Sequence, residues 1–123
     1  MLAGKRVLIV EDEPVIGFVL EDMLDAIGCK PVGIATRVEQ ALEIVAAREI
    51  DAAILDVNIH GQRSYSVADA LVAQGVPFIF ATGYDGTEHP SRYRQVLTLA
   101  KPYSIDDVQR ALTTVTAGTD AGR

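Results

Sequence analysis

Apolar residues gather in five short runs along the chain, separated by longer stretches in which they return every three or four positions. The runs are Val7-Leu8-Ile9-Val10, Pro31-Val32-Gly33-Ile34-Ala35, Ala52-Ala53-Ile54-Leu55, Pro77-Phe78-Ile79-Phe80-Ala81 and Val96-Leu97-Thr98-Leu99-Ala100, the second being the weakest. Runs that are apolar at successive positions predict strands buried on both faces. Between the first two, Ile16, Val19, Leu20, Met23, Leu24 and Ile27 keep helical spacing, with Pro14 suited to the first turn and Gly28 to the stop. Thr36-Arg37-Val38-Glu39 reads as a capping box for a second helix with Ala41, Leu42, Val45 and Ala46 on its buried face. Val67 to Ala73 predicts a short third helix ending near Gly75. Ser104-Ile105-Asp106-Asp107 opens a last helix faced by Ile105, Val108, Leu112 and Val115. The segment from Gly83 to Gln95 fits poorly: with Gly83, Gly86 and Pro90, any helix there is short or broken. Strands alternating with helices predict an α/β fold with a parallel sheet.

Composition narrows the picture. The 123 residues, 49% hydrophobic, suit one domain with a core that needs neither metal nor disulfide. Its expected core runs over about residues 4–117, with a small, polar tail at 118–123 expected to be flexible. A net charge of −6 and a pI near 4.7 argue against general nucleic-acid binding. Cys29 is the single cysteine, which suits a reducing cytoplasm. No apolar stretch reaches the ~18 residues of a membrane span, and Val7 to Val10 is too short for a leader's apolar region. A cytoplasmic protein is the expectation.

Candidate chemistry sits at the ends of the strands. In a doubly wound sheet the active crevice lies at the carboxyl ends of the strands. Glu11-Asp12-Glu13 ends the first run, Asp56 the third, Thr82 the fourth and Lys101 the fifth. Each alone is an ordinary strand end or helix-start residue; four suitable types at four such ends form a pattern. Clustered carboxylates bind a hard divalent cation through oxygen, and Mg²⁺ suits a site of few carboxylates plus waters and phosphate oxygens. Asp56 is then a nucleophile able to accept a phosphoryl group as an acyl phosphate, with Lys101 and Thr82 placed to meet phosphoryl oxygens.

Val7-Leu8-Ile9-Val10-Glu11-Asp12-Glu13, Ile54-Leu55-Asp56-Val57-Asn58, Phe80-Ala81-Thr82-Gly83 and Lys101-Pro102-Tyr103 together resemble the response-regulator receiver (CheY-like) family over about residues 4–117. The resemblance implies a flavodoxin-like doubly wound sheet of five parallel strands in the order 2-1-3-4-5, often with a cis Lys-Pro bond. It implies Asp56 as phospho-acceptor, Thr82 and Lys101 as its switch threonine and lysine, and Mg²⁺ held by Glu11, Asp12, Asp56 and the backbone carbonyl of Asn58. Pro77-Phe78-Ile79-Phe80-Ala81-Thr82-Gly83-Tyr84 resembles more narrowly the FATGUY group, largely stand-alone receivers with an altered fourth helix, often tied to general stress responses. Two features depart from the family. Thr98 stands three positions before Lys101, where an aromatic is usual, leaving Tyr84 as a candidate substitute. Asn58-Ile59-His60-Gly61-Gln62-Arg63 replaces the usual proline-containing turn, with His60 and Arg63 read as solvated loop residues.

The implied partners are a sensor histidine kinase or a histidine phosphotransfer protein, with Ile16 and Val19 as candidate docking residues, and a downstream protein. Neither nucleic acid nor membrane is expected, and the expected state is a monomer able to dimerise on phosphorylation. Catalysis is confined to the chain's own phosphorylation and dephosphorylation. Three alternatives stand beside this reading. A hydrolase of the haloacid-dehalogenase type would want an acid two residues after the nucleophile, where Asn58 stands. A degenerate receiver would bind partners without phosphorylation. A nucleotide-binding flavodoxin-like domain would want a glycine-rich loop after the first strand.

Overall fold

The computed structural model describes residues 2–83 and 89–121, with side chains described through Ala117. The chain runs β1 (Arg6–Val10), α1 (Pro14–Ile27), β2 (Lys30–Ala35), α2 (Val38–Ala47), β3 (Ala52–Asp56), β4 (Asn58–Ile59), β5 (Gln62–Arg63), α3 (Tyr65–Ala73), β6 (Phe78–Thr82), a 3₁₀ turn (Ser91–Tyr93), β7 (Thr98–Ala100) and α4 (Ile105–Ala121). The main sheet is parallel, in the order β2-β1-β3-β6-β7. With the small β4–β5 hairpin set aside, this is the expected 2-1-3-4-5.

Successive strand residues point to opposite faces, so the runs of the central strands β1, β3 and β6 feed two cores, while the edge strands β2 and β7 are mostly half-buried. Leu8, Val10, Ala53, Leu55, Phe78 and Phe80 pack with α2 and α3. Val7, Ile9, Ala52, Ile54, Ile79 and Ala81 pack with Leu20 and Leu24 of α1 and Val108 and Leu112 of α4. This two-sided burial explains why the runs are continuous. A bidentate Arg6–Asp51 pair ties the start of β1 to the start of β3, with contacts of 3.1 and 3.2 Å.

Pro14 opens α1 as expected, and Gly28 closes it at φ 98°, its N–H reaching the carbonyls of Leu24 and Asp25. That left-handed cap favours glycine. The capping box expected at Thr36–Glu39 is displaced. Arg37 is the N-cap, which puts Gln40 three residues inside the helix, and Gln40 Oε1 accepts the Thr36 N–H at 2.9 Å. Ser104 and Asp107 do form a reciprocal box: the Asp107 N–H donates to Ser104 Oγ at 3.1 Å, and the Ser104 N–H to Asp107 Oδ2 at 2.9 Å. α3 begins at Tyr65, earlier than Val67, because Ser64 already accepts the Val67 and Ala68 N–H groups. α4 continues past Ala117 to Ala121.

Between β6 and β7, no α-helix occurs among the described residues; the 3₁₀ turn at Ser91–Tyr93 stands there, in line with a broken fourth helix. Residues 84–88, including the candidate aromatic Tyr84, lie outside the described residues. No helix among the described residues is long and apolar enough to cross a membrane.

Candidate active site

Strand pairing delivers the polar strand ends to one place. The Glu11 N–H donates to the Ala35 carbonyl (2.9 Å), the Val57 N–H to the Ala81 carbonyl (3.1 Å), and the Lys101 N–H to the Thr82 carbonyl (2.9 Å). These bonds carry sheet pairing to the carboxyl ends of the strands, where Glu11, Asp56, Thr82 and Lys101 stand. Asp12, Glu13, Asp56, Asn58, Thr82, Gly83 and Lys101 line a cleft of about 380 Å³. The Lys101–Pro102 peptide bond is cis.

Lys101 bridges two acids. Its Nζ donates to Glu11 Oε1 at 2.8 Å and to Asp56 Oδ2 at 2.9 Å. All three side chains are largely buried, at 18%, 3% and 10% exposure. Burial first, and the neighbouring Asp56 next, push the Glu11 carboxyl up to about 8 against the opposing pull of Lys101. Burial pulls the Lys101 ammonium down, but its bonds to Glu11 and Asp56 outweigh that and raise it. The cluster therefore holds more negative charge than one lysine balances.

Glu11, Asp12 and Asp56 each offer a carboxylate oxygen, all within 4.8 Å of one another. This oxygen-only, charge-excess set fits a hard divalent cation such as Mg²⁺. Asn58 reaches the cleft too, and its backbone N–H donates to Asp56 Oδ1 at 3.3 Å.

The segment after Asp56 is a hairpin, not the simple loop expected. Asn58 pairs with Arg63 and Ile59 with Gln62. The two residues between, His60 and Gly61, have φ of 51° and 77°, the positive angles of a tight hairpin turn. His60 and Arg63 are exposed, as expected, yet the His60 backbone N–H donates to Asp12 Oδ2 at 2.9 Å. The hairpin thus holds one oxygen of a candidate metal ligand. The glycine of His60-Gly61 was the available sequence signal.

Beside the cleft, Val15, Ile16, Val19 and Met23 of α1 join Lys101, Pro102 and Tyr103 around an apolar hollow. Val15, Phe18 and Val19 are 73%, 58% and 48% exposed. The two candidate docking residues both line this hollow, Val19 exposed and Ile16 half-buried. His89 packs against Phe80 and bonds Thr98, a placement with no signal in the chain's local pattern.

Comparison with known proteins agrees with this geometry. The family model described as "Response regulator receiver domain" matches residues 7–113. The transcriptional regulatory protein MalR of Bacillus subtilis is 32% identical over 113 residues, which are 87% of this chain and 48% of MalR. The chain spans about half the length of the curated relatives it matches. The solution structure of SdrG from Sphingomonas melonis is 46% identical, with a TM-score of 0.83, covering 94% of this chain and 98% of that one. The receiver domain of the sensor histidine kinase PA1611 from Pseudomonas aeruginosa, solved with magnesium in its active-site cleft, is 27% identical with a TM-score of 0.80, covering 94% and 99%. With its strand order, its acidic cleft and its Lys101 bridge, the chain belongs to the response regulator receiver domain family.

Proposed function

We propose that this protein accepts a phosphoryl group on Asp56 from a histidine kinase or histidine phosphotransfer protein, in a Mg²⁺-dependent reaction, and signals by protein–protein contact or by relaying the phosphoryl group. The observation that carries the reading is the Glu11–Lys101–Asp56 bridge with Asp12 within carboxylate reach of both acids. Mg²⁺ would be held by Glu11, Asp12, Asp56 and the Asn58 carbonyl, and when bound it offsets charge between these acids and the incoming phosphoryl group.

The chain's own residues supply the rest. An Asp56 carboxylate oxygen attacks phosphorus in line; the O–P bond forms as the P–N bond to the donor histidine breaks, and the imidazole departs. The Asn58 N–H and Lys101 Nζ donate to different oxygens of Asp56 and so fix the orientation of its carboxylate. Lys101 then transfers its contact from Asp56 to a phosphoryl oxygen, and the Thr82 hydroxyl donates to another. Drawing Thr82 inward biases the face that follows it, between β6 and β7, toward a second arrangement. The exposed α1 residues Val15, Phe18 and Val19 form the docking patch for the donor. A cytoplasmic monomer that dimerises on phosphorylation completes the reading, and the Phe80-Ala81-Thr82-Gly83-Tyr84 motif supports a role in a general stress response.

Acetyl phosphate and Mg²⁺ followed by intact-mass measurement tests this. One phosphoryl group should add to the wild type, and none to Asp56→Asn or to wild type with chelator. Absence of the adduct with both acetyl phosphate and phosphorylated histidine donors would replace this reading with a binding module that works without phosphorylation. Turnover of an outside phosphate ester would favour a hydrolase, against which Asn58 in the position of the second acid already weighs.

A further inference from the structure

The family resemblance places an aromatic where this chain has Thr98, and the structure supplies a different group at that spot. Phe80 and Thr98 are direct partners in the β6–β7 register. The His89 ring lies over Phe80, with centroids 4.6 Å apart and planes 31° apart. Its Nδ1 is 2.9 Å from the Tyr65 hydroxyl, and its Nε2 is 3.3 Å from Thr98 Oγ1, which in turn is 3.4 Å from the Val96 carbonyl. Tyr65 is the first residue of α3. One imidazole therefore joins α3 to the edge strand β7 across β6.

The chain of bonds has a direction. The Thr98 hydroxyl donates to Val96, so it accepts from Nε2–H; Nδ1 is then a lone-pair acceptor for the Tyr65 O–H. This arrangement holds one tautomer of a neutral ring. The groups facing it are Tyr65 from α3, Arg63 from β5, Phe80 from β6 and Thr98 from β7. Burial first, and the Arg63 charge second, hold the His89 pKa below its ordinary value, which favours the neutral form. A second link, from Arg92 Nε to Asp69 Oδ1 at 3.1 Å together with a Tyr93 hydroxyl bond to Asp69, fastens the 3₁₀ turn to α3.

Phe80 and Thr82 lie two positions apart on β6 and share a face. A displacement of Thr82 toward Asp56 moves the strand on which His89 rests. We propose that the Tyr65–His89–Thr98 chain is the resting-state latch of this receiver, holding α3 to β7 and opening when Asp56 is phosphorylated. The inference rests on the phosphoryl-acceptor reading above and adds the residue through which the signal leaves the site. His89 is a positioning residue, not a catalytic one.

The test is ¹⁵N NMR of His89 with and without beryllofluoride and Mg²⁺, with a control for occupancy from the Asp56 and Lys101 resonances. At rest, Nε2 should carry the proton, and the ring should titrate below an ordinary histidine. On beryllofluoride binding, the tautomer preference should collapse and the titration should move toward the ordinary value. Tyr65→Phe, which keeps the ring but removes the donor, should shift the amide resonances of β7 and α3 part way to the activated positions at rest while leaving phosphoryl uptake by mass unchanged. Saturated beryllofluoride binding with an unchanged His89 spectrum would overturn the latch and leave the acceptor reading intact. Resting amide positions in Tyr65→Phe identical to wild type would overturn it as well. No phosphoryl or beryllofluoride uptake at all would overturn both.

Discussion

Removing the Lys101 ammonium should destabilise the metal-free protein in a way that Mg²⁺ reverses. In Lys101→Ala, Glu11 and Asp56 lose bonds of 2.8 and 2.9 Å and face each other without a counter-charge. Breaking a buried ion pair by deleting one partner costs about 3–5 kcal/mol. Here the cost is lower, because a Glu11 carboxyl at about 8 is already largely protonated near neutral pH. Lys101 also keeps 18% of its side chain exposed. About 2 kcal/mol near neutral pH is the resulting expectation. The sign with pH follows from Glu11. Its folded pKa lies above the unfolded one, so the fold favours the protonated acid, and protonation relieves the repulsion. The stability deficit of Lys101→Ala should therefore shrink as pH falls toward the unfolded carboxyl range and grow as pH rises through the folded value. Urea denaturation across pH, with chelator and with saturating Mg²⁺, measures this. The deficit should narrow with Mg²⁺, since a bound cation replaces the missing charge. A deficit that is the same with and without Mg²⁺, or that grows toward acid pH, would refute the charge-excess account of the cleft.

Other outcomes follow from single contacts. Asp51→Asn should cost about 1 kcal/mol at neutral pH in urea denaturation, given the partial exposure of the pair. Arg6 holds the Asp51 carboxyl below its usual range, so the stabilisation is present above the unfolded carboxylate pKa and vanishes as pH falls through the folded one; a deficit that persists in strong acid would refute the pairing. Gly61→Val places a β-branched residue at φ 77° and should withdraw the His60 N–H from Asp12, weakening Mg²⁺ binding about tenfold by calorimetry, whereas Gly61→Asn should bind as wild type. Val19→Glu, at a position 48% exposed, should slow phosphoryl transfer from a histidine donor about tenfold, equivalent to ~1.4 kcal/mol, and leave uptake from acetyl phosphate unchanged.

The strands were legible because burial on two faces leaves no polar alternation, and the strand-end acids and lysine were legible because the topology has one crevice. The helix phases were legible through Leu20, Leu24, Val45 and Leu112, all buried as their spacing requires, whereas Val19, Ala46 and Ile105, assigned to the same faces, lie exposed at their margins. The α2 cap was misplaced because Glu39 and Gln40 are equally able to reach back, and only the backbone at Arg37 decides which sits three residues inside. The β4–β5 hairpin was missed because two-residue strands carry no periodicity, although His60-Gly61 had the form of a tight turn. His89 could not be read from the chain, since its partners Tyr65, Phe80 and Thr98 come from three elements and meet only after folding. The departure at Thr98 was legible as a missing aromatic, but not what takes its place.

The most direct test of the central claim locates the acyl phosphate itself. After incubation with acetyl phosphate and Mg²⁺, borohydride reduction converts a phosphorylated aspartate to the corresponding alcohol, and peptide mass spectrometry finds the converted residue. Conversion at position 56 alone, abolished by chelator, is the result expected. Conversion at another carboxylate, or none at position 56 in protein that has gained a phosphoryl group, would contradict the assignment of Asp56 as the acceptor.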